Sequence, residues 1–396
     1  MTGAARGDVL SPISAGVDTG LVGFTSSFVI VLAGLTAVGA TPDQASSGLL
    51  AVSVTMGLSS IFLSAWTRMP ITVAWSTPGA ALLASTGMVE GGWPVAVGAF
   101  FVAGAFIVLT GLVPALGALI ARIPASVAQA MLAGILLQLC LGPVTGLAVN
   151  PLEVAPVVAV WLLAMRFVPR WSSPLAFVAA AIVIGVHMTG SGEGLDPAAL
   201  VPNVELTAPE FTLTGTVGIA VPLYLVTMAS QNVPGVAVMK GLGYTVPWRR
   251  SMLVTGAGTL IGASAGGYAI NLAAITAALA AGSESGQDRS RRWIASVTSG
   301  VVVVLLGIGA SAFGALVVLA PAGVIAAVAG LALLGTLASA LQAALADPDE
   351  RLSAVVVFAT AASGIAVAGV GAAFWALMAG LVVRFVLRRG RHSAEN

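Results

Sequence analysis

Stretches of about 20 apolar residues recur along this chain with short polar breaks between them, and that is the length an α-helix needs to cross the hydrocarbon core of a bilayer. In order, they fall at roughly 16–39, 45–66, 70–88, 93–113, 125–145, 152–169 and 173–190. After a polar stretch at 191–212 come roughly 213–239, 247–264, 266–282, 292–311, 320–343, 351–367 and 370–389. Inside lipid every backbone polar group must be satisfied within the protein, so irregular backbone is tolerated only where it is buried or lines a cavity. A soluble domain has about a quarter of its residues charged; here 8% are charged and 58% are hydrophobic. The expectation is an all-α polytopic membrane protein with about 14 transmembrane spans.

The basic residues test that count. With the N-terminus in the cytoplasm and sides alternating at each span, Arg6, Arg68, Arg122, Arg166 and Arg170 fall inside. So do Lys240, Arg249, Arg250, Arg289, Arg291 and Arg292, and then Arg351, Arg384, Arg388, Arg389 and Arg391. That is all 16 Lys and Arg in the chain, where the positive-inside rule normally gives only a bias. The outer loops hold acids: Asp43, Glu90, Glu153, Glu193, Asp196, Glu205 and Glu210. Residues Met1 to Leu10 are too polar for a signal peptide, so the first apolar segment is expected to stay as a span. The expected location is the inner (cytoplasmic) membrane, multi-pass, with both termini cytoplasmic.

Composition excludes several functions. A net charge of +1 offers nothing to nucleic acid, and one cysteine (Cys140) with two histidines (His187 and His392) makes a His/Cys metal site improbable. No cofactor and no metal are expected. An intramembrane protease needs a motif such as H-E-x-x-H, and Lys240, the sole lysine, lies at the inner boundary away from any Ser–Lys pair. The chain does not read as an enzyme.

The break at 191–212 separates seven spans from seven. An odd number per half puts the second half into the membrane upside down, the inverted-repeat plan of secondary transporters, which bind substrate near the midplane at discontinuous helices. The repeats are 14–190 and 213–390. ITVAWSTPGAALLA (Ile71 to Ala84) aligns with YAINLAAITAALAA (Tyr268 to Ala281) so that Ala74 pairs with Asn271. Similarly, Phe24-Thr25-Ser26-Ser27-Phe28 pairs with the Ser230-Gln231-Asn232 stretch.

Those segments hold the candidate site. Ser230, Gln231 and Asn232 sit inside a continuous apolar segment, just before Pro234 and Gly235, which are expected to loosen the helix. Polar residues at that depth are functional candidates by default. Segment 70–88 opens with β-leaning residues and then reads Ser76-Thr77-Pro78-Gly79, a helix-start signature. It is expected as an extended half near 70–75 and a half-helix from Thr77. Segment 266–282 repeats the plan, with a helix near Ala273. Two half-helices starting mid-membrane from opposite sides would aim free N–H groups and positive dipole ends at one pocket, suited to a carboxylate. No Asp, Glu or Lys lies near the middle of any span. Asp18, Glu153 and His187 sit near span ends, and Gln138 reads as a helix-to-helix hydrogen bonder.

MASQNVPGVAVMKGLGY (Met228 to Tyr244), YAINLAAITAAL (Tyr268 to Leu279) and ITVAWSTPGAALL (Ile71 to Leu83) resemble the benzoate–proton symporter family, BenE, across nearly the whole chain. More distantly the chain resembles the nucleobase–ascorbate transporters with the UraA-like fold. That resemblance implies short strands in spans 3 and 10, a core domain of 14–120 plus 213–311, and a gate domain of 125–190 plus 320–390. Nucleobase carriers commonly place glutamates where Gln231 and Asn271 stand here; amides can donate hydrogen bonds to a carboxylate that a glutamate would repel.

The function expected is a secondary active transporter importing benzoate or a related aromatic monocarboxylate, proton-coupled, by alternating access. Gln231, Asn232 and Asn271 are expected to orient the carboxylate beside backbone N–H groups near Thr77 and Ala273. Ser26, Ser27 and Ser76 stand second, and Trp75 and Tyr268 are expected to bound the ring. Rival readings are a carrier for another organic anion or nucleobase, and a channel on the same fold. The partners are then the aromatic acid, protons and the lipid bilayer; oligomeric state is open, a homodimer included.

Overall fold

The computed structural model describes residues 4–120, 123–191, 197–365, 367 and 371–394. Of the charges placed above, Arg122, Glu193 and Asp196 lie outside the described residues, as do the side chains of Arg6, Arg388, Arg389, Arg391 and His392. Among the described residues, seven helices are long and apolar enough to cross a membrane, or eight if the bent pair Trp293–Ile308 and Ala310–Val318 is one span. The protein is an all-helical polytopic membrane protein. Shorter apolar helices, Arg351–Ala362 among them, account for other segments.

Two segments depart from a straight helix and a third absorbs two prolines. The first apolar segment is one candidate crossing, Leu10–Ala37, as expected, made of helices Ala4–Thr25 and Phe28–Ala37 with Ser27 at φ −148° between them. The segment at 292–311 continues past Ile308 with a 52° bend. The helix Leu213–Gly241, in contrast, runs through Pro234 and Gly235 without a break. A proline cannot donate to the carbonyl four residues back and its ring crowds that carbonyl. The chain accommodates this by widening the preceding turn: Met228–Asn232 is π-helical, and Val233 N–H reaches back to Met228 O. The same device precedes Pro222, at Thr216–Ala220.

The expected half-helices are present. Strand β1 (Val73–Trp75) leads into helix Thr77–Thr86, and strand β2 (Ile270–Leu272) leads into helix Ile275–Ala281. The strands pair antiparallel, with Val73 opposite Leu272, Ala74 opposite Asn271 and Trp75 opposite Ile270. Further bonds extend the ladder, from Ser76 N–H to Ala269 O and from Ala273 N–H to Thr72 O. That second bond holds Ala273 in the ladder, so the second half-helix begins at Ile275 and not at Ala273. Because the strands are antiparallel, the two half-helices leave the ladder from opposite ends.

Helices pack as two groups. Ala4–Thr25, Pro42–Thr67, Gly92–Leu112, Trp248–Ala263 and Trp293–Ile308 pack mainly on one another, and Ala125–Cys140 packs mainly with Val324–Ala344 and Arg351–Ala362. With lipid as solvent, close packing takes the place of the hydrophobic drive, and small residues allow it. At Gly57 and Gly300 a Cβ on either would sit 2.6 Å from the other's carbonyl oxygen. Gln138 Nε2 donates to Ala362 O at 2.9 Å, a helix-to-helix bond as its sequence position suggested.

Candidate functional site

The ladder and the break in the first helix meet at a cavity of about 120 Å³. A core void of about 150 Å³ admits one benzene ring, so this space is on the scale of a single aromatic ring. Ser26, Ser27, Trp75, Thr77, Gln231 and Ala273, all singled out from sequence, line it. Among the described residues, the lining contains no acidic or basic side chain.

The aromatic wall is built in layers. Phe24 faces the cavity, and its ring lies 5.3 Å from Trp75 and 5.3 Å from Phe313. Phe28 stacks on Phe24 at 5.5 Å and receives the edge of Phe177 at 4.8 Å. Trp75 is held through its ring and its backbone. Trp75 Nε1 donates to Ser27 Oγ at 2.9 Å, and its backbone N–H points to Met56 Sδ at 3.0 Å. Ser26 and Ser27 in turn donate to Gly23 O, at 3.1 and 3.2 Å, which occupies their protons at the helix break.

The polar residues divide into two sets. Gln231, on the widened turn, faces the cavity and makes no side-chain hydrogen bond among the described residues. Asn232 is fully buried behind it. Its Oδ1 accepts from Leu272 N–H at 2.9 Å and its Nδ2 approaches Met228 Sδ at 3.2 Å, which ties the helix to β2. Asn271 is also fully buried; Nδ2 donates to Leu272 O at 2.9 Å and Oδ1 has no partner. Ser76 accepts from Gly79 N–H at 3.0 Å, capping its half-helix, and from Thr227 Oγ1 at 2.8 Å. Tyr268 is buried against Phe100, with its hydroxyl unpartnered. None of these four lines the cavity.

The two half-helix starts are unequal. In the first, Pro78 has no N–H, and the N–H groups of Gly79 and Ala80 are bound to Ser76. Thr77 N–H is left at the wall. In the second, Ala274 provides no side-chain cap. The first amides of a helix have no intrahelical partner, and Ala274 and Thr276 at this uncapped start stand at the cavity. The uncapped end is therefore the second half-helix.

Sequence reasoning missed the opposite wall. Leu132 and Leu136 come from helix Ala125–Cys140, and Leu333 and Thr336 from Val324–Ala344. Leucines in an apolar span carry no signal that separates a cavity wall from a lipid face. Phe177 and Phe313 were missed for the same reason.

A protein-family model described as BenE, benzoate membrane transport protein, matches residues 8–386. The chain is 38% identical over 376 residues to the inner membrane protein YdcO of Escherichia coli (strain K12), covering 94% of this chain and 95% of that protein. It is 31% identical over 387 residues to the benzoate membrane transport protein of Acinetobacter baylyi, covering 97% of each. Among solved structures it is similar to the transmembrane domain of the cyanobacterial bicarbonate transporter BicA, with a TM-score of 0.61 at 15% identity, covering 94% of this chain and 97% of that one. It is also similar to the murine anion transporter Slc26a9 in the inward-facing state, with a TM-score of 0.66 at 14% identity, covering 97% of this chain and 69% of that one. At such identities the likeness shows the fold alone, which is UraA-like.

Proposed function

Because the chain belongs to the BenE family of benzoate membrane transport proteins, we propose that it is a secondary transporter importing benzoate or a related aromatic monocarboxylate, with protons, by alternating access. The observation that carries this reading is the cavity: one ring in size, walled by Phe24 and Trp75, free of charged side chains, and supplied with donors. An apolar ring fits between the aromatic wall and Leu132, Leu136 and Leu333. A carboxylate fits at the Gln231 amide and the uncapped half-helix start near Ala274, where a fixed negative charge would repel it and none lines the wall among the described residues. Asn232, Asn271 and Ser76 act from behind, holding the ladder and the half-helix that shape the pocket.

The same reading takes the chain as about 14 crossings in two inverted sets of seven, in the inner membrane with both termini in the cytoplasm. The ladder register supports it. The sequence alignment that makes Ala74 the counterpart of Asn271 requires a two-fold axis through that pair, and these residues are directly opposite. The division of helices into two packing groups supports a core of 14–120 plus 213–311 and a gate of 125–190 plus 320–390. The cavity lies where the groups meet, so rocking one against the other changes its access.

The test is uptake of labelled benzoate into proteoliposomes with and without an inward proton gradient. Saturable uptake that the gradient accelerates is expected. Uptake competed by unlabelled uracil and not by benzoate would overturn the substrate assignment.

A further inference from the structure

Resting on that reading, we propose that the Nε–Nη2 edge of Arg170 is a second carboxylate station, taken up by the substrate between the central cavity and the membrane face that carries Arg170. Arg170 lies in the short turn Pro169–Trp171 between helices Pro151–Phe167 and Ser172–Ser191. Its Nη1 donates to Glu284 Oε2 at 2.9 Å. Its Nη2 stands 3.5 Å from Asp18 Oδ2, an ion pair without a hydrogen bond. Both Nε and Nη2 are shielded from solvent and have no hydrogen-bond partner.

That is an unusual state for a guanidinium. Its Nε and Nη2 hydrogens form a planar fork that fits the two oxygens of a carboxylate side-on, and leaving shielded donors unpaired is costly. Nearby Arg292 shows the contrasting case: it donates from Nε to Gly286 O at 2.9 Å and from Nη1 to Ala281 O at 2.8 Å. Arg292 is fixed in the fold, whereas Arg170 holds a shielded, unpaired edge with one loosely placed acid beside it.

The place of that edge connects it to the cavity. Asp18 precedes Thr19, which lines the cavity on the first helix. Glu284 follows the half-helix Ile275–Ala281, whose Thr276 also lines the cavity. Arg170 is thus held by the two segments that run from the cavity toward this face, and its flanking helices pack on Val324–Ala344 of the other group. The cavity has no cation of its own. A monocarboxylate leaving past Thr19 reaches the guanidinium of Arg170 by displacing Asp18 from it, and pairs side-on with the fork.

The test compares Arg170→Gln, Arg170→Lys and Asp18→Asn in membrane vesicles of each orientation, reading the half-saturating benzoate concentration for exchange at each face. Arg170→Gln is expected to raise it by about tenfold at the Arg170 face, the loss of hydrogen bonds to a charged group, and to leave the opposite face unchanged. Arg170→Lys, which keeps the charge without the fork, falls between. Asp18→Asn removes the competing acid and is expected to lower the value at the same face. A purely structural clasp predicts that Asp18→Asn and Arg170→Gln act in the same direction; that result, or no change in either, overturns the station. If Arg170→Gln does not reach the membrane, Asp18→Asn decides alone, since a raised or unchanged value overturns the proposal. A wild-type chain that exchanges no benzoate overturns the functional reading and the station with it, whereas wild-type exchange with unmoved variants overturns the station only.

Discussion

Ala74 and Asn271 stand directly opposite each other at the centre of the two-stranded ladder, one with a methyl group and the other with a buried amide whose Oδ1 has no partner. The two halves of the site are thus equivalent in backbone and unequal in chemistry. The polar supports cluster around β2 and the helix bearing Gln231, and so does the uncapped half-helix start.

Gln231 is the amide with direct access to the cavity. Gln231→Ala is expected to raise the half-saturating benzoate concentration by roughly tenfold, the scale of a hydrogen bond to a charged group, with membrane abundance unchanged. Initial uptake rates across benzoate concentration measure it. Normal uptake in this variant would remove Gln231 from the binding site.

Gln231→Glu tests the sign of the field. An ionised glutamate repels the substrate carboxylate and a protonated one does not, so uptake is expected to be poor at neutral pH and to recover as pH falls. Wild-type uptake, measured at the same proton gradient, provides the reference curve. A variant that tracks the wild type at every pH would count against a carboxylate at this position.

Asn232 and Asn271 are expected to affect folding as well as transport. Asn232→Ala leaves Leu272 N–H unpaired in a dry interior, a loss of about 1–3 kcal/mol, visible as a lower thermal unfolding midpoint in detergent. Asn271→Ala removes one bond and one orphaned oxygen together, so its stability cost is expected to be smaller, while uptake weakens because β2 is less firmly placed. An equal loss of stability in both would refute this division of roles.

Gly57→Ala places a methyl group against Gly300 O in a helix contact that has no room for it. Overpacking of this kind costs about 1–3 kcal/mol. The expected result is a lower thermal midpoint with an unaltered half-saturating concentration in the protein that remains folded, since this contact lies outside the cavity lining.

How much of this was legible in the sequence depends on whether a residue's chemistry contradicts its surroundings. Ser76-Thr77-Pro78 announces a helix start inside an apolar segment, and the structure begins a helix at Thr77. Gln231 was legible as a polar residue at depth. The widened turn that turns Asn232 away from the cavity and onto Leu272 was not, because helical spacing cannot give side-chain direction where the spacing itself changes. The break at Ser27 escaped notice because two serines in an apolar run are compatible with continuous helix. Leu132, Leu136 and Leu333 were invisible since apolar residues in an apolar span all look alike. The start at Ile275 was displaced by one long-range bond, Ala273 N–H to Thr72 O, that no local pattern encodes.

The absence of ionisable side chains from the cavity lining has an electrical consequence. On the proposed reading, the empty pocket adds no side-chain charge of its own to the reorientation step. Carrying a bare monoanion inward would work against an inside-negative potential, at about 2.3 kcal/mol per 100 mV for a full crossing. On the proposed proton coupling, a proton travelling with the anion would cancel that charge and relieve the step of the opposing potential.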